Sequence, residues 1–176
     1  MSELSTLALA HAKDAREIAE MSRDLIEQGL PWSWTPARVL HFITGKDSSV
    51  VVARNPRRGD PRYGDTGPAD RPGGVRRGIE AFAIMHFGDE VAHLNLLAVA
   101  PEHRRQGLGR QLLEWLCATA VEAGVFRIDL ELRRQNDAAR AFYENLRFTE
   151  EGVVQGYYQG REAALRMSRR LASSPC

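Results

Sequence analysis

The run Arg104-Arg105-Gln106-Gly107-Leu108-Gly109-Arg110 sets two glycines two apart among three arginines, after the largely apolar segment Leu94 to Ala100 and before an amphipathic stretch of helical period. Glycines at that spacing let the backbone turn tightly with its N–H groups directed into one space. The helix start that follows adds unpaired donors and the positive end of its dipole. Together they make an anion cradle suited to a pyrophosphate. Two commoner phosphate loops do not fit. A Walker loop needs Gly-Lys-Ser/Thr, and Gly109 is followed by Arg110 and Gln111; a dinucleotide fingerprint needs a third glycine where Leu112 stands.

Further along, Leu130-Glu131-Leu132-Arg133 is followed by Asn136 and then by Ala141-Phe142-Tyr143-Glu144-Asn145-Leu146-Arg147-Phe148. With the glycine run, these residues resemble the GCN5-related N-acetyltransferase (GNAT) superfamily, whose acyl-CoA pyrophosphate loop reads arginine/glutamine-x-x-glycine-x-glycine. Within it they resemble the branch that acetylates protein N-termini, most closely the bacterial ribosomal-protein alanine N-acetyltransferases. Pro31-Trp32-Ser33 and Tyr157-Tyr158 with Gly160-Arg161-Glu162 match the same branch. The resemblance implies that Arg104, Arg105, Gln106, Gly107, Leu108, Gly109 and Arg110 hold acetyl-CoA, with Asn136 as a further coenzyme contact. It implies Glu131 as general base, Tyr143 as general acid, and Leu97, Ala98 and Val99 as the strand whose backbone N–H meets the oxyanion. Trp32, Tyr157 and Tyr158 would wall the acceptor groove.

The chemistry asks for such groups. An ammonium must lose a proton before its nitrogen attacks a thioester, and a positioned carboxylate can take it directly or through one water. An α-amine, with a pKa of about 8, yields that proton far more readily than a lysine at about 10.4, so one glutamate suffices. A phenol beside the departing thiolate can supply a hydrogen bond or the proton itself. His86, His93 and His103 form no ligand spacing. His93 shares side-chain parity with Asn95 and Leu97 on one strand, which makes it the alternative base. Cys117 falls in a helix stripe beside Leu113 and Leu116, as a buried inert thiol would, so direct attack without an acetyl-enzyme is expected. Arg147 stands where the family has glycine, in a turn where a positive φ would cost arginine about 1 kcal/mol.

The elements that must position these residues follow from period and punctuation. The chain of 176 residues is expected to be one domain, 1–176, with a net charge of +1 that makes no case for nucleic acid or membrane. Two cysteines, no leader pattern and no run of eighteen apolar residues point to a cytoplasmic protein without a metal cluster. A short apolar start at Leu4 to Ala10 precedes a helix over about Asp14 to Gln28 and a second one opened by Thr35-Pro36, with Val39, Leu40 and Ile43 inward. Strands are expected at Ser49 to Arg54, Ile79 to Phe87 and from Val91. Between the first two, 55–77 reads as a mobile loop in which glycine, proline, arginine and aspartate make up 18 of 23 residues. A helix from Leu108 is capped by Gly124, a half-buried strand runs Arg127 to Leu132, and a short helix spans Asn136 to Asn145. Phe148 to Val154 and Ala163 to Met167 close the chain as strands around a Gly156 to Gly160 connection. Strand-helix-strand through the glycine loop implies a parallel right-handed crossover with antiparallel neighbours. The expected architecture is therefore a single-domain mixed α/β fold, a mostly antiparallel sheet flanked by helices, as in the GNAT fold.

On this reading the enzyme moves acetyl from acetyl-CoA to a primary amine, first of all a protein or peptide N-terminus. The alternative acceptor is a small amine: a polyamine, an amino acid or an aminoglycoside. A polycation would call for a carboxylate cluster at the groove mouth, where Glu150, Glu151 and Glu162 are the chief candidates. Two other classes stay open: an acyl-CoA-binding regulatory module without turnover, and an RNA-binding protein acting through the arginines of 55–77.

Overall fold

In the computed structural model, residues 5–55 and 78–171 are described. Of the loop expected at 55–77, all but the buried Asn55 lies outside them. The described elements are β1 (Thr6–Leu9), α1 (Ala15–Leu25), α2 (Pro36–Thr44), β2 (Ser48–Arg54), β3 (Ile79–Phe87), β4 (Val91–Val99), α3 (Leu108–Glu122), β5 (Arg127–Arg133), α4 (Asp137–Asn145), β6 (Thr149–Tyr158) and β7 (Glu162–Arg170). The strands form one sheet in the order β1-β2-β3-β4-β5-β7-β6, antiparallel throughout except where β4 meets β5. This is the mixed, mostly antiparallel sheet with flanking helices that the pattern of periods implied.

The helices cover both faces. Leu112, Leu113, Leu116 and Ala120 of α3 are buried against Val51, Met85, Leu94, Ile128 and Leu130 on one face. Ile18 and Met21 of α1 and Val39 of α2 are buried against Val50, Phe82, Ile84 and Leu96 on the other. Central strands covered on both sides read as unbroken apolar runs, which is why β2 and β3 are recognisable from composition alone. Gly124, at φ +79°, ends α3 with the Val125 N–H bonded back to the Ala120 carbonyl at 2.9 Å. Thr35 caps α2 and Asn136 caps α4 through their side-chain oxygens.

Three expectations are corrected. Leu40 is exposed, because α2 turns Val39, Phe42 and Ile43 toward the core instead. α1 stops at Leu25, three residues early, because the chain there bends to serve a buried carboxylate described below. The connection expected from Gly156 is largely strand, since β6 runs on to Tyr158.

One irregularity matters more. Ile84 pairs with Leu96 and Met85 with Leu94, so Asn95 is an extra residue bulged out of β4. Side-chain alternation restarts there: Ala92 and Leu94 face the α3 layer, then Leu97 and Val99 do. His93 therefore does not share a face with Leu97.

Candidate active site

At the start of α3, Gly107 adopts a left-handed φ of +84°. A side chain there would meet open space, with Gln111 Nε2 the nearest atom at 3.7 Å, so the backbone conformation requires glycine. Arg105, at φ +64°, turns the chain in the same sense two residues earlier. No side chain caps α3, which leaves its first-turn amides without partners inside the helix. Arg104, Arg105 and Arg110 stand exposed around them, and Arg104 Nε donates to the Val99 carbonyl at 3.1 Å. This donor set fits an anionic group. Gly109 has another reason to be glycine: a Cβ would lie 3.2 Å from the Phe142 ring and 3.5 Å from Val99, so its absence lets α3 and α4 pack. Leu108 and Gly109 are buried, and only their backbone can serve the cradle.

β4 and β5 are joined at only three positions, ending where His93 faces Asp129. Beyond that pair no ladder links them, while Leu97, Ala98 and Val99 pair with Ala83, Phe82 and Ala81 of β3. Alternate amides of this part of β4 thus point into the gap between β4 and β5 without a strand partner.

Glu131 stands beside that gap. Ile128, Leu130 and Leu132 of β5 are buried toward α3, which sends Asp129, Glu131 and Arg133 to the other face. Glu131 Oε2 lies 2.9 Å from His93 Nε2, and Oε1 accepts from Arg166 Nε at 3.2 Å. The hydrogen bond with His93 foremost, then the charges of both partners, hold this carboxyl below the usual glutamate range despite its burial. It is ionised at neutral pH. Tyr157 is pushed up by burial, by the Glu131 charge and by a hydrogen bond to that carboxylate. His93 also lines a cleft of about 520 Å³ with His41, Lys46, Asp47, His86 and Asn95, whose Oδ1 is buried without a hydrogen-bond partner among the described residues.

Tyr143 belongs to the opposite layer. Its ring packs 5.0 Å from Phe142 and 5.5 Å from Phe148 in the α3 core, and burial drives its hydroxyl far above the ordinary phenol value. Tyr143 lies on the α3 side of the sheet and Glu131 on the other. Asn136 spends its amide oxygen on the Ala139 N–H at 3.1 Å, a capping bond. Arg147 does take the left-handed turn, at φ +65°, with the Phe148 N–H bonded to the Tyr143 carbonyl. Cys117 is buried, and burial raises its thiol. Among the described residues no cluster of His, Cys, Asp or Glu is arranged to hold a metal.

The aromatic residues expected to wall a groove fall on two segments. Trp32 is partly exposed, its indole N–H donating to the Ala19 carbonyl at 3.2 Å and Arg23 lying over the ring. Tyr157 and Tyr158, with ring centroids 4.9 Å apart, stand at the end of β6; burial chiefly pushes Tyr158 up to about 12. Two residues missed in the sequence organise these walls. Glu27, buried, accepts from the N–H and hydroxyl of Ser33 at 2.7 and 2.6 Å, from the Trp34 N–H and from Ser22. Arg133 reaches the same loop from β5. A carboxylate four residues before a Pro-Trp-Ser turn was the available signal for the first, and strand parity with Glu131 for the second.

The sequence profile of the acetyltransferase (GNAT) family matches residues 68–148, a span holding the glycine loop, Glu131, Asn136 and Tyr143. Over that span the chain is similar to the GNAT family. Over 93 residues it is 44% identical to the [ribosomal protein bS18]-alanine N-acetyltransferase of Escherichia coli K12, an alignment covering 51% of this chain and 63% of that protein. An N-alpha-acetyltransferase of Saccharolobus solfataricus is 28% identical over 172 residues, 94% of this chain and 93% of that one. The crystal structure of the ribosomal-protein-S18-alanine N-acetyltransferase from Escherichia coli superposes with a TM-score of 0.68 at 28% identity, covering 98% and 97% of the two chains. The GNAT profile stops short of Tyr157 and does not reach Trp32, so the residues expected to wall a groove lie outside the matched segment.

Proposed function

We propose that this protein is an acetyl-CoA-dependent N-acetyltransferase whose acceptor is the N-terminal amine of a protein or peptide. The observation that carries the proposal is the ionised Glu131, held by His93 and Arg166 beside the β4 and β5 gap, with the glycine loop on the same β4-to-α3 connection. Backbone amides from Arg105 to Arg110 and the neighbouring guanidiniums hold the pyrophosphate of acetyl-CoA, and Asn136 adds a contact. Glu131 takes the proton of the acceptor ammonium, with His93 fixing the carboxylate's orientation. The freed nitrogen attacks the thioester carbonyl, whose developing oxyanion is met by an unpaired amide of Leu97 to Val99. Tyr143, kept protonated by burial, offers its hydroxyl to the departing thiolate. The balance is one amide, one thiol and one proton released to solvent. Trp32, Tyr157 and Tyr158 flank an extended peptide, and a cytoplasmic location suits both substrates.

The alanine-directed relative supports the acceptor class, as do the cations beside Glu131: a polycation would meet Arg133 and Arg166 there. The test is CoA release on short peptides with free N-termini, against the same peptides blocked, with spermidine and free amino acids alongside. Turnover confined to unblocked peptides is the expected result. Turnover on spermidine with none on any unblocked peptide overturns the assignment.

A further inference from the structure

Arg133, two residues beyond Glu131 on the same face of β5, makes contacts in two directions. Toward the α1-α2 loop, Nη2 donates to the Gln28 carbonyl at 2.6 Å and approaches that of Ile26 at 3.4 Å. Toward the β6-β7 hairpin, Nη1 lies 3.5 Å from Glu162 Oε1, and the guanidinium stands 5.8 Å from the centre of the Tyr158 ring. Of the two segments it joins, the hairpin carries Tyr157, hydrogen-bonded to the Glu131 carboxylate, and the loop carries Trp32. The loop side is rigid, because Glu27 pins Ser33 and Trp34 from beneath. The hairpin side is close-turned, since a Cβ on Gly156 would come within 3.2 Å of the Gly160 backbone. A planar fork with five donors can serve a carbonyl pair, a carboxylate and an aromatic face at once, which a lysine cannot.

We infer that Arg133 is a positioning residue that sets the separation of the two groove walls, and so the affinity for the acceptor. This inference rests on the proposed N-terminal acetylation. Its contacts are with the walls and not with the reacting atoms, so its loss should leave the proton path through Glu131 intact. The short bond to Gln28 makes the loop the fixed wall. The longer, half-exposed pairing with Glu162 makes the hairpin the wall that yields.

The experiment combines steady-state kinetics with amide hydrogen exchange on wild type, Arg133→Met, Arg133→Lys and Glu162→Gln. Arg133→Met is expected to raise KM for an unblocked peptide by about tenfold or more, with kcat and KM for acetyl-CoA changed by less than about threefold. Exchange should quicken at residues 26–30 and 156–162 together. Arg133→Lys should recover part of the KM, and Glu162→Gln should quicken exchange in the hairpin alone. Unchanged exchange at either wall in Arg133→Met overturns the inference, whatever the activity. So does a loss that falls equally on kcat or on acetyl-CoA. If wild type acetylates no peptide while both walls respond, the N-terminal assignment fails and the strap between the walls stands.

Discussion

The two sides of the β4 and β5 gap are built by different means. The side proposed to hold the coenzyme is defined by backbone: a left-handed Gly107, an uncapped helix start, and a Gly109 small enough for Phe142. The side proposed to take the acceptor is defined by side-chain tethers, Glu27 under the α1-α2 loop and Arg133 spanning from β5 to that loop and to the hairpin. Backbone requirements fall on glycines at fixed spacing and leave a readable motif. Tethers need only a charge at the right place in space, so the acceptor side can change while the coenzyme side persists.

Breaking the junction between the sides should have the largest effect. Glu131→Gln removes the proton acceptor but keeps its hydrogen-bonding shape, and should lower kcat by about 10²- to 10⁴-fold with acetyl-CoA affinity near normal, measured by CoA release and calorimetric titration. Full activity in Glu131→Gln with loss in His93→Ala would move the base to the other member of that pair. On the coenzyme side alone, Gly107→Val forces a β-branched residue to φ +84°, and should weaken acetyl-CoA binding at least about tenfold in a folded protein. Wild-type affinity there would remove the loop from the coenzyme site.

The acceptor side should fail through stability first. Glu27→Ala leaves the Ser33 and Trp34 amides without their carboxylate and should cost about 2–3 kcal/mol in denaturant unfolding, together with a raised KM for peptide and not for acetyl-CoA. Equal effects on both substrates would erase the distinction between the sides. The smallest effect expected lies outside both. Arg147→Gly relieves a left-handed arginine and should stabilise the fold by about 1 kcal/mol, seen as a higher Tm with unchanged kinetics.

The same division explains what the sequence discloses. Period and punctuation locate β2, β3, α3 and β5, because each buries a face that dictates its pattern, but not the end of β6 that carries Tyr157 and Tyr158. Arg147 announces its own left-handed turn by standing where glycine is usual. What stayed hidden depends on partners far away in the chain. Glu27 looks like one more polar helix residue until Ser33 folds over it, and Tyr143 looks accessible until Phe142 and Phe148 close on it. Parity failed for His93 for a local reason, since apolar residues fill both faces of β4 and nothing in Leu94-Asn95-Leu96-Leu97 marks a bulge.

That bulge makes β4 a splice of two phases. Ahead of Asn95 the strand addresses one layer of the protein with its even-numbered residues, and after it with the odd-numbered ones. Loss of the single codon for Asn95 would leave the pairs of Ile84 with Leu96 and Met85 with Leu94 intact and close the strand into regular alternation, every remaining side chain on its present face. What the bulge adds is Asn95 itself, whose side chain lines the cleft beside His93. A one-residue insertion, invisible in composition, thus sets a polar side chain into the cleft without changing the face that the downstream strand presents.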